Sequence, residues 1–442
     1  MAREMKDSGI EWIGEIPKEW KLTRMKTCIL HRDSGAWGNE ANGDEGDIIC
    51  LRIADFDYSV FRLKDTEEEL LTKRNYNASI IENLLLQKND IIIEKSGGGE
   101  KTPVGRTVIF DKHYRAVYAN FCDRLRCREI ILPQFMQYIF VTFYANGYIW
   151  NYIKQTTGIQ NLDLTTMLSA EKIALPSIAE QQKIIDFLNL CCAELNNVIK
   201  KTHASIEEYK KLKQAVITQA VTKGIRGDRE MRNSGIEWIG EIPYEWEVSQ
   251  VKYSLKWKSK KGQPQEEVLS LYRDYGVIPK DSRDDNHNVT SLDTSGYKVV
   301  DIGDFVINKM KAWQGSMAVS EYRGIISPAY HVCEFINDNL NKKYFHYLMR
   351  NKSYIPEYTR VSTCMRVGQW DLGFDDFKNI PFLLPSQGEQ QEIVNYLDEK
   401  CSAIDDLIIK KEQYLSEIEN YKKSLIYEYV TGKKEVPQEY QV

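Results

Sequence analysis

Residues 8–20 read SGIEWIGEIPKEW and residues 234–246 read SGIEWIGEIPYEW, differing only at Lys18 against Tyr244. A second pair follows: residues 175–185 read LPSIAEQQKII and residues 384–394 read LPSQGEQQEIV. The first pair is offset by 226 positions and the second by 209, so the chain is a duplication whose second interior is shorter by about 17 residues. The borders are nearly copied while the interiors differ. One scaffold carrying two different surfaces produces that pattern.

Each Glu-Gln-Gln opens a long apolar periodicity without Pro or Gly, over about 180–223 and 389–431. Leu195, Val198, Thr202, Tyr209, Leu212 and Val216 fall on coiled-coil core positions in the first run. Ile404, Leu407, Tyr414, Ile418, Tyr421 and Leu425 do so in the second. Gly224 and Gly432 stand where helices stop. A helix of this length is roughly 65 Å long at 1.5 Å per residue, too long for one small domain. Thr202, Ser205 and Lys411 interrupt the apolar stripes. Neither helix therefore makes a clean homodimer zipper, and antiparallel pairing with each other buries both stripes.

The intervening blocks, about 21–160 and 247–375, read as mixed α/β. Strands are expected at 47–51, 90–93 and 107–110, and again at 299–302, 304–307 and 317–319. Helices are expected at 134–146 and 342–351. Asp90–Lys95 (DIIIEK) aligns with Asp304–Lys309 (DFVINK).

With 442 residues, 42% hydrophobic and 28% charged, the chain has ordinary globular composition and room for several domains. No apolar run reaches membrane-spanning length, and the opening MAREMKDSGIEW lacks the apolar core of a secretory signal, so a cytoplasmic location is expected. Nine cysteines form no CxxC pair and are expected free and reduced. The six histidines are scattered, and no metal site is expected.

The net charge of −5 does not favour nucleic acid, but local charge decides binding. Between Lys95 and Arg128 there are eight Lys/Arg against three Asp/Glu. Within that stretch residues 94–106 read EKSGGGEKTPVGR. Glu100 and Pro103 rule out a phosphate-binding P-loop there. Gly97, Gly98 and Gly99 instead allow close backbone approach, with Lys95, Lys101 and Arg106 as cations for phosphates or guanine edges. The matching stretch of the second half, residues 309–316, reads KMKAWQGS. It offers Lys309, Lys311, Trp313 and Gln314, while residues 252–261 add five lysines, among them Lys256 and Lys258, and no acid. Methyltransferase, Walker and metal-binding motifs are missing, which favours a binding subunit over an enzyme.

The doubled SGIEWIGEIPxEW, the doubled Leu-Pro-Ser…Glu-Gln-Gln heading a long helix, and the EKSGGGEKTPVGR and NKMKAWQGS loops resemble the specificity subunit of type I restriction–modification systems. The resemblance spans essentially the whole chain. It implies an α/β plus coiled-coil fold: two similar target-recognition domains separated by two long antiparallel helices, related by a pseudo-twofold repeat. The expected division is 1–165 and 229–378 for the recognition domains, with 166–228 and 379–442 for the helical regions. It implies a non-catalytic subunit that reads a bipartite, asymmetric sequence on double-stranded DNA. Two modification (methyltransferase) subunits would carry S-adenosylmethionine, and restriction (motor–nuclease) subunits would carry ATP and Mg, leaving no cofactor on this chain. Thr363-Cys364-Met365 stands where Thr157-Gly158-Ile159 is taken to align, so the two backbones are expected to differ there. The competing readings are a coiled-coil scaffold without sequence readout and a stand-alone DNA methyltransferase or nuclease.

Overall fold

Ile91, Ile92 and Ile93 are wholly buried, which successive residues of a strand achieve only when both faces of the sheet are covered. In the computed structural model they lie in Ile91–Glu94, inside a six-stranded sheet. Ile91 and Ile93 pack under the helix Pro133–Ala145, while Ile92 faces a four-stranded sheet built around Asp47–Leu51. The structure describes residues 3–99, 102–156, 158–273, 275–283, 290–291, 293–366 and 369–440. They fall into two compact units, residues 1–203 with 413–442 and residues 204–412, so the division cuts across both long helices.

The second unit repeats the plan. Leu255–Lys258, Tyr330–Phe335, Phe305–Asn308 and Met317–Val319 lie side by side. That is the order of Ile29–Ser34, Cys122–Cys127, Ile91–Glu94 and Thr107–Ile109 in the first unit. Phe305 and Ile307 face one core and Val306 another, as the three isoleucines do. All expected strands and helices form, with ends displaced by no more than a couple of residues. The eight cysteines whose side chains are described are free.

The duplicated borders have a physical reason. Glu180, in the first turn of helix α1 (Ile178–Lys223), accepts the indole N–H of buried Trp20 at 3.0 Å and an Arg3 N–H at 2.6 Å. Glu389, in the first turn of α2 (Gln387–Val430), accepts the Trp246 indole at 3.0 Å and pairs with Arg229. The next residue, Gln181 or Gln390, is fully buried. Its amide satisfies backbone groups that no secondary structure serves: Gln181 takes the Leu132 N–H at 2.7 Å and donates to Ile130 and Pro176 carbonyls. Gln390 does the same for Asn341, Asn339 and Pro385. Gly432 ends α2 with φ +75°, and a Cβ there would lie 2.4 Å from Pro17 Cδ. Glycine is required both for the turn and for the space.

Within each unit the two helices run antiparallel. In the first, Phe187 stacks on Tyr429 at 4.7 Å and Asn196 meets Lys422 at 2.8 Å, so each step up α1 is a step down α2. In the second, Lys213 binds Asp405 at 2.6 Å and Lys411 lies over the Tyr209 ring.

Two of the six expected seam residues on α1 and three of the six on α2 need correction. Thr202, Ile404, Ile418 and Leu425 are buried, and Leu195, Tyr209 and Val216 are half-buried, as expected. Val198, Leu212, Leu407, Tyr414 and Tyr421 are exposed. The seam passes instead through the residue after each: Ile199, Lys213, Ile408, Leu415 and Lys422, with Ile206 between. A heptad alternates steps of three and four, and here the four-residue step comes first. Two of the five, Lys213 and Lys422, are lysines, which no apolar pattern selects. We expect Ile404→Asp to lose at least about 3 kcal/mol, because a carboxylate would be buried unpaired. Leu407→Asp, one heptad position off the seam, should stay within about 0.5 kcal/mol of the parent in chemical denaturation. Equal losses would return Leu407 to the seam.

Candidate nucleic-acid interface

The loop after Ile91–Glu94 is held from behind. Glu94 is buried and takes two N–H groups of Arg106, at 3.0 and 2.8 Å, and the Tyr58 hydroxyl at 2.5 Å. The Arg106 guanidinium also lies 3.9 Å from the centre of the Tyr58 ring. Arg106 is thus engaged inside the protein. Lys95 lies 3.1 Å from Asp123, which also receives Arg32 at 2.8 Å, so two cations share one buried carboxylate.

The glycines meet a β-hairpin that sequence reasoning missed. Ser96–Gly97 pairs with Ile159–Leu162, whose partner strand is Ile153–Thr156. Gly98 has φ +66°, and a Cβ on it would stand 2.7 Å from Gln160 Oε1. The buried Gln160 amide accepts the Val104 N–H and donates to the Gly99 carbonyl, fixing the loop from both sides. Gly99 forms an isolated bridge with Thr102. Lys101 lies outside the described residues.

In the second unit the corresponding hairpin pairs Thr363–Arg366 with Gln369–Asp371. The Leu372 N–H donates to the Lys309 carbonyl at 3.0 Å, as the Leu162 N–H does to the Lys95 carbonyl at 2.8 Å. The two loops are docked alike. This corrects the expected alignment: Cys364 lies within a strand, not at the position of Gly158, so its lack of glycine's φ freedom raises no conflict.

Beyond the lysine they share, Lys95 or Lys309, the side chains differ. Lys311 is exposed and precedes a single tight turn, Ala312–Gln314, which Gly315 closes at φ +79°. Trp313 leans on Trp370 at 6.4 Å, and Gln314 is half-buried. Lys309 lies 3.8 Å from Asp371. Lys256 is open to solvent, 3.6 Å from Glu334. Lys258 is not free: Asp301 and Asp304 hold it at 2.5 and 2.7 Å, so it braces the sheet. Near these groups His331 Nδ1 and Asp371 Oδ1 are buried without a hydrogen-bond partner. A buried polar atom left unsatisfied is costly unless a ligand completes it. Neither was singled out from the sequence, where an isolated His and an Asp on a short hairpin carry no signal. His346, by contrast, has a structural role: its Nδ1 accepts the Val319 N–H at 3.2 Å, and burial pushes its pKa down to about 3. Among the described residues no cluster of His, Cys, Asp and Glu could hold a metal, and no helix is long and apolar enough to cross a membrane.

A family model described as the type I restriction modification DNA specificity domain matches residues 54–208 and 243–420. The chain is 24% identical over 432 residues to a putative type I restriction enzyme MjaX specificity subunit of Methanocaldococcus jannaschii, covering 95% of each. It is 20% identical over 386 residues to the EcoKI specificity subunit of Escherichia coli, covering 82% of this chain and 78% of that one. A solved chain from work on complex assembly and conformational transition of the type I R-M system superposes with a TM-score of 0.67. That match covers 95% of this chain and 99% of the solved one, at 14% identity, a likeness of fold.

Proposed function

The chain belongs to the type I restriction modification DNA specificity family, and from that premise we propose that it is the sequence-reading subunit of a type I complex, binding a bipartite, asymmetric target on double-stranded DNA. The observation that carries the reading is the pair of loops docked by the same backbone hydrogen bond yet bearing unlike side chains. Equal docking gives two equivalent readers. Unlike side chains, a glycine run after Lys95 against Lys311, Trp313 and Gln314 after Lys309, give them different half-sites. On this reading the chain carries no cofactor and performs no chemistry. Modification subunits supply S-adenosylmethionine and restriction subunits supply ATP and Mg, in the cytoplasm, and this chain scaffolds both.

The test is selection from random duplexes by the chain with its modification subunit, followed by substitution. Lys95→Ala should weaken the first half-site and Lys311→Ala or Trp313→Ala the second. A lost phosphate contact lowers affinity for all sequences and reduces the salt slope by about one. A lost base contact costs about 1–3 kcal/mol and relaxes one position. Arg106→Ala should act differently, because it leaves Glu94 buried without its cation: the loop loosens, and thermal stability falls together with affinity. Selection without any enriched motif would overturn the proposal. Methyl transfer or cleavage by the purified chain alone would overturn the non-catalytic assignment.

A further inference from the structure

The repeat places Lys422 on α2 where Lys213 stands on α1, and Asn196 where Asp405 stands, each at the 209-residue offset of the helix-opening motif. Lys213 is neutralised by Asp405 at 2.7 and 2.6 Å. Lys422 is not neutralised. It is 7% exposed and donates to two neutral acceptors, Ser59 O at 2.5 Å and Asn196 Oδ1 at 2.8 Å. Among the described residues it forms no ion pair, and burial lowers its pKa. A buried ammonium without a counter-charge is expensive, and the other half of this chain contains the remedy the first half omits.

Lys422 lines a cleft of about 1080 Å³ in the first unit, of a size that holds a small organic ligand. Phe61, Tyr144 and Trp150 supply aromatic wall. The lining cations Lys200, Lys422 and Lys423 face only Asp57 and Glu419, Arg106 being paired with Glu94; the excess of one positive charge suits a monoanion and disfavours a polyanion. We propose that this cleft binds a small aromatic monoanion, a ring bearing one carboxylate or comparable anionic group, whose charge neutralises Lys422 from the cleft side as Asp405 neutralises Lys213 within the seam. The site is independent of the DNA-reading assignment.

Titration calorimetry of the full chain with 2-naphthoate tests this, with the neutral 2-naphthamide as comparison. Naphthoate should bind at least tenfold more tightly than the amide. Asn196→Asp, which supplies the missing carboxylate internally, should abolish naphthoate binding while leaving the thermal midpoint unchanged or raised. Lys422→Met should abolish it as well. Absence of naphthoate binding at millimolar concentration, equal binding of acid and amide, or unchanged binding by folded Asn196→Asp would overturn the proposal. A backbone phosphate offers the same chemistry, so a further arm adds saturating duplex DNA. Undiminished naphthoate binding supports a free small anion, and displacement would assign the cleft to DNA instead and overturn it.

Discussion

Replacing Glu389 with Ala should cost about 3–5 kcal/mol of stability, more than any loop substitution, because it strips two partners at once. Arg229, only 9% exposed in its side chain, would keep only Glu245, which is 58% exposed and a weak partner in solvent. The indole N–H of Trp246, itself 1% exposed, would lose its acceptor, and an unsatisfied buried donor adds about 1–3 kcal/mol. Gly224, at the end of α1, packs against Trp246 and Arg229, so the damage extends to the helix terminus. Glu180→Ala removes the equivalent pair in the first unit, yet Arg3 is 18% exposed and keeps Glu19, so a smaller loss of about 2–3 kcal/mol is expected. Glu389→Gln should fall between, since the amide oxygen still accepts from the indole while the charge is gone. Urea denaturation of the three variants gives the order. A loss below about 1 kcal/mol for Glu389→Ala would mean that the duplicated motif is held by its apolar packing and not by this network.

That network was visible in the sequence only as repetition. Ser8 to Trp20 and Glu-Gln-Gln recur because Trp and Glu must meet across some 150 residues of chain and Gln must reach backbone some 50 residues back, but one chain does not say which groups meet. The strands were legible because continuous Ile and Val runs between charged ends permit little else, and the long helices because no Pro or Gly interrupts them. The seam was legible only in part. At Tyr421-Lys422 the pattern favours the aromatic, and the structure buries the lysine because Ser59 and Asn196 lie within reach of its ammonium. The hairpins flanking the two docked loops were missed since their strands are three or four residues long and mostly polar, below what alternation can reveal. Lys258 and Arg106 read as free cations because the carboxylates that hold them, Asp301, Asp304 and Glu94, look in the sequence like ordinary strand-end charges.

Adding one heptad to each long helix should move the preferred spacer between two unchanged half-sites. The insertions belong between His203 and Ala204 and between Glu412 and Gln413, where the chain passes from one compact unit to the other. Seven residues keep the order of four- and three-residue steps on both sides, so Lys213 still meets Asp405 and Lys422 still meets Asn196. Each helix grows by about 10 Å at 1.5 Å per residue. At about 3.4 Å per base pair that is roughly three base pairs, which also turns one half-site by about 100° around the duplex. On its native target the variant should therefore bind poorly, and selection from duplexes with spacers of graded length should recover binding at the longer spacing. Inserting four residues instead leaves the two sides of the seam out of phase by roughly 40°, at about 100° per residue, which the pair absorbs only by locally unwinding, so that variant should lose stability rather than change spacing. The pair of variants separates the two roles of the helices. A folded seven-residue variant that keeps the native spacer would show that the distance is set elsewhere, by the partner subunits or by bending of the DNA.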